Sequence, residues 1–382
     1  MRIGIDIYPL TRKIKTGIGY YLYYLLKNLL EIDDKNDYIL YNNSGKEIEL
    51  KYPNLYYSDT SSGNILNKFS TAWMILGARK QLIKDKIDIF WGTHAIIPPN
   101  LPDSIKTLLN IHDLTISLGP GTMSLGNFFI HNFLFKKSVL KAKKIIVISN
   151  TTADALKSVF NNKGISDKIS IIYDGIDTEK FKQSDADISK KYVSHKFDIL
   201  ADFILFVGTI EPRKNISGLL KAFKILKTKY GVKQQLVLAG GMGWKTTSIF
   251  KVCKRLSFGA DEVKFLGYVK EEDLIKLYCA ANIFVFPSLY EGFGFPPLEA
   301  MSSGTPVIAS AIPVFREILG EAAVLADPHN PDDIALKIYE VISNVNLRNS
   351  LVHKGLERAR LFSWTNTARQ TLSVLEEVNS KK

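Results

Sequence analysis

Short, nearly continuous apolar runs recur along the chain, separated by segments whose apolar positions return every three or four residues. In the first half the runs are Tyr38 to Tyr41, Ile87 to Trp91, Thr107 to Ile111, Lys144 to Ile148 and Ile169 to Tyr173, preceded by Arg2 to Ile7, which alternates and is apolar enough for a first strand. In the second half they are Phe203 to Val207, Gln235 to Ala239, Val263 to Leu266, Asn282 to Phe286, Pro306 to Ala309 and Ala322 to Leu325. Runs of this kind are the mark of parallel strands covered on both faces. The intervening pattern is helical: Leu22, Leu25, Leu26, Leu29 and Leu30 fall on one face. Further helices are expected over Ile216 to Thr228, Asp332 to Ile342 and Leu347 to Leu361, with Trp364 opening a last one. Strand–helix alternation in both halves predicts an α/β protein of two doubly wound, Rossmann-like domains. The stretch Thr178 to Asp202 is charged and lacks clear periodicity, so it is read as the linker. The expected division is 1–195, 196–361 and a closing helix over 362–382.

At 382 residues the chain exceeds a usual single domain, which agrees with two. No apolar run approaches the ~20 residues of a membrane-spanning helix. Met1-Arg2-Ile3-Gly4-Ile5-Asp6 is too short and acidic for a signal peptide's apolar region, and a cytoplasmic location is expected. Cys253 and Cys279 have no zinc-like spacing and are read as buried free thiols. The net charge of +12 is spread over both halves. No nucleic-acid motif or aromatic–basic ladder accompanies it. One basic cluster, Lys136, Lys137, Lys141, Lys143 and Lys144, follows the apolar run Phe128 to Phe135. Segment 128–144 reads either as a contact for an anionic membrane at its inner face or as an ordinary domain helix with solvated lysines.

The chemistry concentrates in Pro287 to Gly304, PSLYEGFGFPPLEAMSSG. Glycines and prolines break the chain after a buried strand, and a helix follows with Leu298 to Met301 in its first turns. Glu291 on the loop and Glu299 on the helix stand at the carboxyl end of a sheet, where open α/β sheets bind ligands. A helix start suits phosphate, and a carboxylate accepts two hydroxyl donors from a sugar or ribose. Arg213 and Lys214 also sit between a strand end and a helix start, a fork and a point charge suited to a diphosphate. In each case the alternative is an ordinary turn with capping acids or solvated cations.

These residues resemble the E-x7-E signature of the family 4 retaining glycosyltransferases. Glu291 and Glu299 bracket it, and FVGTIEPRKN from Phe206, FLGYV from Phe265 and FVFPSLYEGFGFPPLEAMSSGTPVIAS from Phe284 extend it. Among its members the chain is most similar to bacterial mannosyltransferases that build polysaccharides such as O-antigen. The match is nearly continuous in the C-terminal half and restricted to islands in the N-terminal half.

The resemblance implies a GT-B fold, two Rossmann-like domains facing across a cleft, and a nucleotide-diphosphate sugar donor held mainly by the C-terminal domain. It implies Glu299 on the ribose hydroxyls. Arg213, Lys214, Gly17 and the helix start near Leu298 would lie on the departing diphosphate. Glu291, the backbone of Gly292-Phe293-Gly294 and His112 would hold the sugar, with Phe295 and Thr209 nearby, Gly19 over the diphosphate with Gly17, and Tyr268-Val269 by the base. His112-Asp113 resembles the family's HD motif. His94 is read as an acceptor-side or turn residue, and Asp113 as facing the acceptor or orienting His112. The chain departs from the family at Thr209, where many members have arginine, and at Asp174, where asparagine is usual.

The expected reaction is a retaining, metal-independent hexosyl transfer from GDP-mannose to a glycan or lipid-linked oligosaccharide, with no cofactor and no metal site. A UDP-sugar donor, an inverting transferase or epimerase of the same fold, and a non-catalytic nucleotide-sugar sensor are the competing readings. An NAD-linked oxidoreductase is disfavoured because no G-x-G-x-x-G follows the first strand.

Overall fold

A computed structural model describes residues 1–11, 17–42, 48–59, 70–114, 125–161, 164–200 and 202–380, the side chains of 59, 70–72 and 125–130 excepted. The chain divides into two compact units. The first is Met1–Gly175 with Ser363–Lys382, and the second is Ile176–Phe362.

The first unit is built on seven parallel strands: β1 (Arg2–Asp6), β2 (Asp37–Asn42), β3 (Leu55–Asp59), β4 (Ile89–Gly92), β5 (Lys106–Ile111), β6 (Lys144–Val147) and β7 (Ile169–Ile171), ordered β3-β2-β1-β4-β5-β6-β7. Ile5 of β1 lies between Leu40 and Trp91, so the centre of the sheet is apolar on both faces. Helices α1 (Gly17–Ile32), α2 (Ser70–Leu76), α3 (Ala78–Lys84), α4 (Leu125–Lys141) and α5 (Asn150–Val159) connect the strands. The leucine stripe of α1 is buried as its spacing requires. Ser149 caps α5 by accepting the N–H of Thr152 at 3.1 Å. The edge strand β3 was not expected. Its sequence LYYSD leaves Tyr56 and Tyr57 exposed, and one covered face gives little apolar signal.

The second unit has six parallel strands: β8 (Phe203–Val207), β9 (Gln235–Ala239), β10 (Val263–Gly267), β11 (Ile283–Phe286), β12 (Val307–Ser310) and β13 (Ala323–Ala326), ordered β10-β9-β8-β11-β12-β13. Its helices are α6 (Ala186–Phe197), α7 (Ile216–Lys229), α8 (Thr246–Leu256), α9 (Glu271–Ala280), α10 (Phe295–Ser302), α11 (Pro313–Leu319), α12 (Pro331–Ser343) and α13 (Val345–Arg360). The segment expected to be a linker is α6. Asp185 caps it, and Tyr192 and Lys196 both donate to Asp273 of α9 at 2.6 Å. Only Ser189 and Val193 are buried on α6, too few to register as periodicity. The boundary therefore falls at 175/176, and 195/196 lies inside a helix.

Gly17 and Gly19 lie in the first turn of α1 and have no positive φ. Asn215 does not cap α7 with its side chain, which donates instead to the carbonyl of Pro328 at 2.6 Å. Asp174 and Gly175 are not left-handed. Gly175 is required by a close approach, because a Cβ there would stand 2.2 Å from the backbone nitrogen of Trp364. Both cysteines are free, and they are half-buried rather than buried.

The last helix, α14 (Trp364–Ser380), packs on α1 within the first unit. Trp364 stacks on Tyr24 with ring centroids 5.6 Å apart, and Lys144 pairs with Glu377 at 2.9 Å.

Asp174 is fully buried, and neither carboxylate oxygen has a hydrogen-bond partner. Burial raises its pKa well above the ordinary carboxylate value, so folding favours its neutral form. The unfolded chain ionises it above its ordinary pKa, so rising pH favours unfolding until the folded pKa is passed. Asp174→Asn removes this term. The variant is expected to gain stability over wild type by up to about 1.4 kcal/mol per pH unit above pH 4. Melting temperatures of both proteins from pH 4 to pH 8 check it; a gap that does not widen refutes the assignment.

Candidate active site

Strands β8 and β11 are neighbours, so the segments that follow them share one edge of the second sheet. After β8 the chain enters a 3-10 turn over Pro212–Lys214 that leads directly into α7. After β11 it crosses the loop to Gly294 and enters α10. Gly294 has φ +105°, and a Cβ there would meet Phe315 at 2.6 Å, so only glycine fits. The helix begins at Phe295, three residues before Leu298, with two prolines in its first turn.

The two segments meet through charge. Lys214 Nζ donates to Glu291 Oε1 at 2.6 Å, and Arg213 Nη1 donates to Glu291 Oε2 at 3.2 Å. Arg213 also donates to the carbonyl of Tyr290 at 3.2 Å, while the N–H of Leu289 donates to the carbonyl of Arg213 at 2.9 Å. Lys214 Nζ stands 4.8 Å from the centroid of Phe286, which adds a cation–π contact. Glu291 is buried, and burial alone would raise its pKa. The charges of Lys214 and Arg213 outweigh that and hold it below its ordinary value. A fourth residue, Glu211, pairs with Arg213 at 3.1 Å and orients its plane.

Glu299 lies in a different environment. Its Oε2 accepts the hydroxyl of Tyr278, on α9, at 2.8 Å. Burial raises its pKa to about 7 despite that bond. Glu271 raises it further and Lys180 lowers it; these two are themselves paired at 2.6 Å.

Phe293 is buried against Phe295 and Phe362, so its ring belongs to the core and only its backbone can face a ligand. Leu298 is fully buried and offers only its amide. Gly292 is buried beside Glu291. Thr209 is exposed after β8, Tyr268 is exposed after β10, and Val269 is buried.

In the first unit the ends of β1, β4 and β5 are bound together. Thr93 Oγ1 donates to the carbonyl of Asp6 at 2.7 Å, and His112 Nε2 meets the carbonyl of Thr93 at 3.0 Å. A carbonyl only accepts, so Nε2 carries the proton and Nδ1 of neutral His112 is left as an acceptor. Burial lowers the His112 pKa to about 4, which keeps it neutral. Burial also pulls His94 down, but the Asp6 carboxylate 3.1 Å from its Nδ1 raises its pKa above the ordinary value. Asp113 is half-exposed beside His112, and its charge favours protonation there. Gly17 is exposed at the start of α1 and Gly19 is buried. Residues 12–16 lie outside the described residues.

Three residues escaped the sequence reading. Glu211 and Asp6 lie beside residues already singled out, and a carboxylate two positions from an arginine or closing a strand was the available signal. Tyr278 had only a polar tip on a buried helical face. Among the described residues no group of three or more His, Cys, Asp or Glu side chains could hold a metal ion.

Comparison with known proteins agrees with this architecture. Residues 192–358 match the family described as glycosyl transferases group 1. An O-antigen chain mannosyltransferase B of Escherichia coli is 32% identical over 308 residues, 79% of this chain and 78% of that protein. An O-antigen chain mannosyltransferase of Salmonella typhimurium is 34% identical over 59% of this chain and 57% of its own length. Sucrose-phosphate synthase of Thermosynechococcus elongatus is similar in fold, with TM-score 0.74 at 20% identity, covering 99% of this chain and 98% of its own. An Anabaena protein solved with UDP and glucose has TM-score 0.74 at 16% identity, over 99% and 100% of the two chains. The chain belongs to the group 1 glycosyltransferases and has their GT-B fold of two Rossmann-like domains.

Proposed function

We propose that the chain is a retaining, metal-independent hexosyltransferase that moves mannose from GDP-mannose to a glycan or lipid-linked oligosaccharide during synthesis of a cell-surface polysaccharide. The observation that carries this reading is the cluster of Lys214, Arg213 and Glu291 beside the start of α10. Two fixed cations and the amides of a helix start are the groups needed to neutralise a diphosphate as it departs. Glu299 is placed on the ribose, and Glu291 with the backbone of Gly292 to Gly294 on the sugar. His112 Nδ1 can accept a sugar hydroxyl, and His94 and Asp113 are assigned to the acceptor side. Mannose is favoured because the Escherichia coli and Salmonella typhimurium relatives are O-antigen mannosyltransferases. The base is a first choice, and a UDP-sugar is the alternative.

The donor class is tested by melting the protein with nucleotides and nucleotide sugars, in the presence of EDTA. A ligand at 100 times its Kd adds about 2.7 kcal/mol. Stabilisation by GDP and GDP-mannose supports the reading; stabilisation by UDP compounds alone replaces the donor. No stabilisation by either overturns the donor site.

With a turnover assay, Lys214→Ala is expected to lower kcat by about 10²–10³-fold with a smaller change in KM, because its contact strengthens as charge develops. An unchanged kcat in folded protein removes Lys214 from catalysis. Product NMR that finds the opposite anomer to the donor's overturns retention.

The same reading places the enzyme at the cytosolic face of a membrane. The sequence cluster 128–144 splits: Lys141 donates to the carbonyls of Pro99 and Leu101, and Lys144 pairs with Glu377. Phe133, Lys136, Lys137, Leu140 and Lys143 remain exposed, beside a groove of about 370 Å³ lined by Ile97, Pro99, Leu134 and Lys137. Residues 128–130 lie outside the described side chains. No described helix is long and apolar enough to cross a membrane, so contact would be peripheral. Sedimentation with phosphatidylglycerol vesicles, but not with phosphatidylcholine vesicles, is expected. Lys136→Glu with Lys137→Glu should abolish it, and sedimentation of that variant equal to wild type would reject the surface.

A further inference from the structure

We propose that Tyr278 is a positioning residue for nucleotide binding: its hydroxyl fixes one oxygen of Glu299 so that the other is presented to the ribose diol. The inference rests on the reading of Glu299 as the ribose contact.

The geometry is over-determined. Tyr278 is fully buried on α9, and its hydroxyl donates to Glu299 Oε2 at 2.8 Å. Its ring is packed edge-on against Phe284 at 5.5 Å and Phe181 at 6.2 Å, so it cannot swing away. Its backbone carbonyl accepts Thr305 Oγ1 at 2.6 Å, and the N–H of Thr305 donates to the carbonyl of Ala300 at 2.9 Å. Helix α10 is thus tied to the same tyrosine at its end and at its middle. Glu299 Oε1 has no protein partner among the described residues. A carboxylate has about four acceptor positions, so one phenol leaves room for both hydroxyls of a ribose.

The bond has a second consequence. Burial drives Glu299 towards its neutral form near pH 7, and the Tyr278 hydroxyl opposes that. The charged groups acting on it are Glu271, which raises its pKa, and Lys180, which lowers it. Ionised Glu299 accepts both ribose hydroxyls; protonated Glu299 loses its charge and an acceptor site. Affinity therefore rises with pH through about 7 in wild type. Without the phenol this rise moves to higher pH.

The experiment is titration calorimetry of wild type, Tyr278→Phe and Glu299→Gln with GDP and 2′,3′-dideoxy-GDP at pH 6, 7 and 8.5. UDP and its dideoxy form replace them if wild type prefers uridine. Phenylalanine keeps the ring, so only the hydroxyl is lost. Tyr278→Phe is expected to weaken GDP about tenfold at pH 7, and less at pH 8.5. Dideoxy-GDP should bind the variant and wild type alike, which also reports that the variant is folded. Glu299→Gln removes the protein's part of the pH dependence and leaves the part due to the nucleotide's own phosphate. Equal GDP affinity in wild type and Tyr278→Phe overturns the proposal. So does an equal loss for GDP and dideoxy-GDP, which would mark a merely structural tyrosine. Wild type that binds neither GDP nor UDP overturns the donor reading first, and this inference with it.

Discussion

The buried ion cluster of Lys214, Arg213 and Glu291 is the constraint on which the second unit's site depends. Partners 77 residues apart in sequence meet at 2.6 Å because parallel connections return each strand to the same edge of the sheet. Taking such charges out of water costs several kcal/mol per ion, and breaking one side of the pair costs roughly 3–5 kcal/mol. The geometry therefore has to be good, and it is supplied by more than charge. The Leu289 N–H bond to the Arg213 carbonyl joins the two backbones, and the Arg213 guanidinium returns a bond to the Tyr290 carbonyl. Glu211 balances the count, so two carboxylates face two cations. On the proposed reading an arriving diphosphate is not drawn in by excess side-chain charge at this cluster. The helix start of α10 and the exchange of Glu291 from cation to sugar hydroxyl must favour it.

The two acids of the signature have opposite characters. Glu291 has cations within bonding distance and stays ionised; Glu299 has a phenol and is pushed up to about 7. Residue type and spacing are the same information for both. Environment separates them, as it does wherever paired carboxylates take different tasks. It is also why Tyr278, invisible as a motif, governs how Glu299 behaves.

Much of the fold was legible because its signals are local. Buried parallel strands are continuous apolar runs, and twelve of them were read in place; the one not read, β3, is a half-exposed edge. Helix α6 carries no helical periodicity in sequence because it buries little and is held by polar bonds to Asp273 from distant sequence. Gly175 is required for a reason that local sequence does not carry. Its constraint is Trp364, nearly two hundred residues away, and no turn rule contains that. At the site, Arg213, Lys214 and Glu291 were legible as types suited to phosphate and sugar. Which of them touch each other was not, since contact follows from strand order.

The first unit makes the same point with two histidines. His94 and His112 follow adjacent strands, yet their pKa values move in opposite directions: burial dominates at His112 despite the Asp113 charge, while at His94 the Asp6 carboxylate outweighs burial. They are not independent. Thr93 gives its hydroxyl to the Asp6 carbonyl and its own carbonyl to His112, so three strand ends share one residue. Asp6 also accepts the N–H of Tyr8 at 3.0 Å, which fixes the carboxylate that His94 reads. Thr93 holds the backbone carbonyl of Asp6, so a side-chain substitution there leaves that bond and reaches His112 through the charge on His94. Effects measured at either histidine belong to the linked strand ends and not to one imidazole.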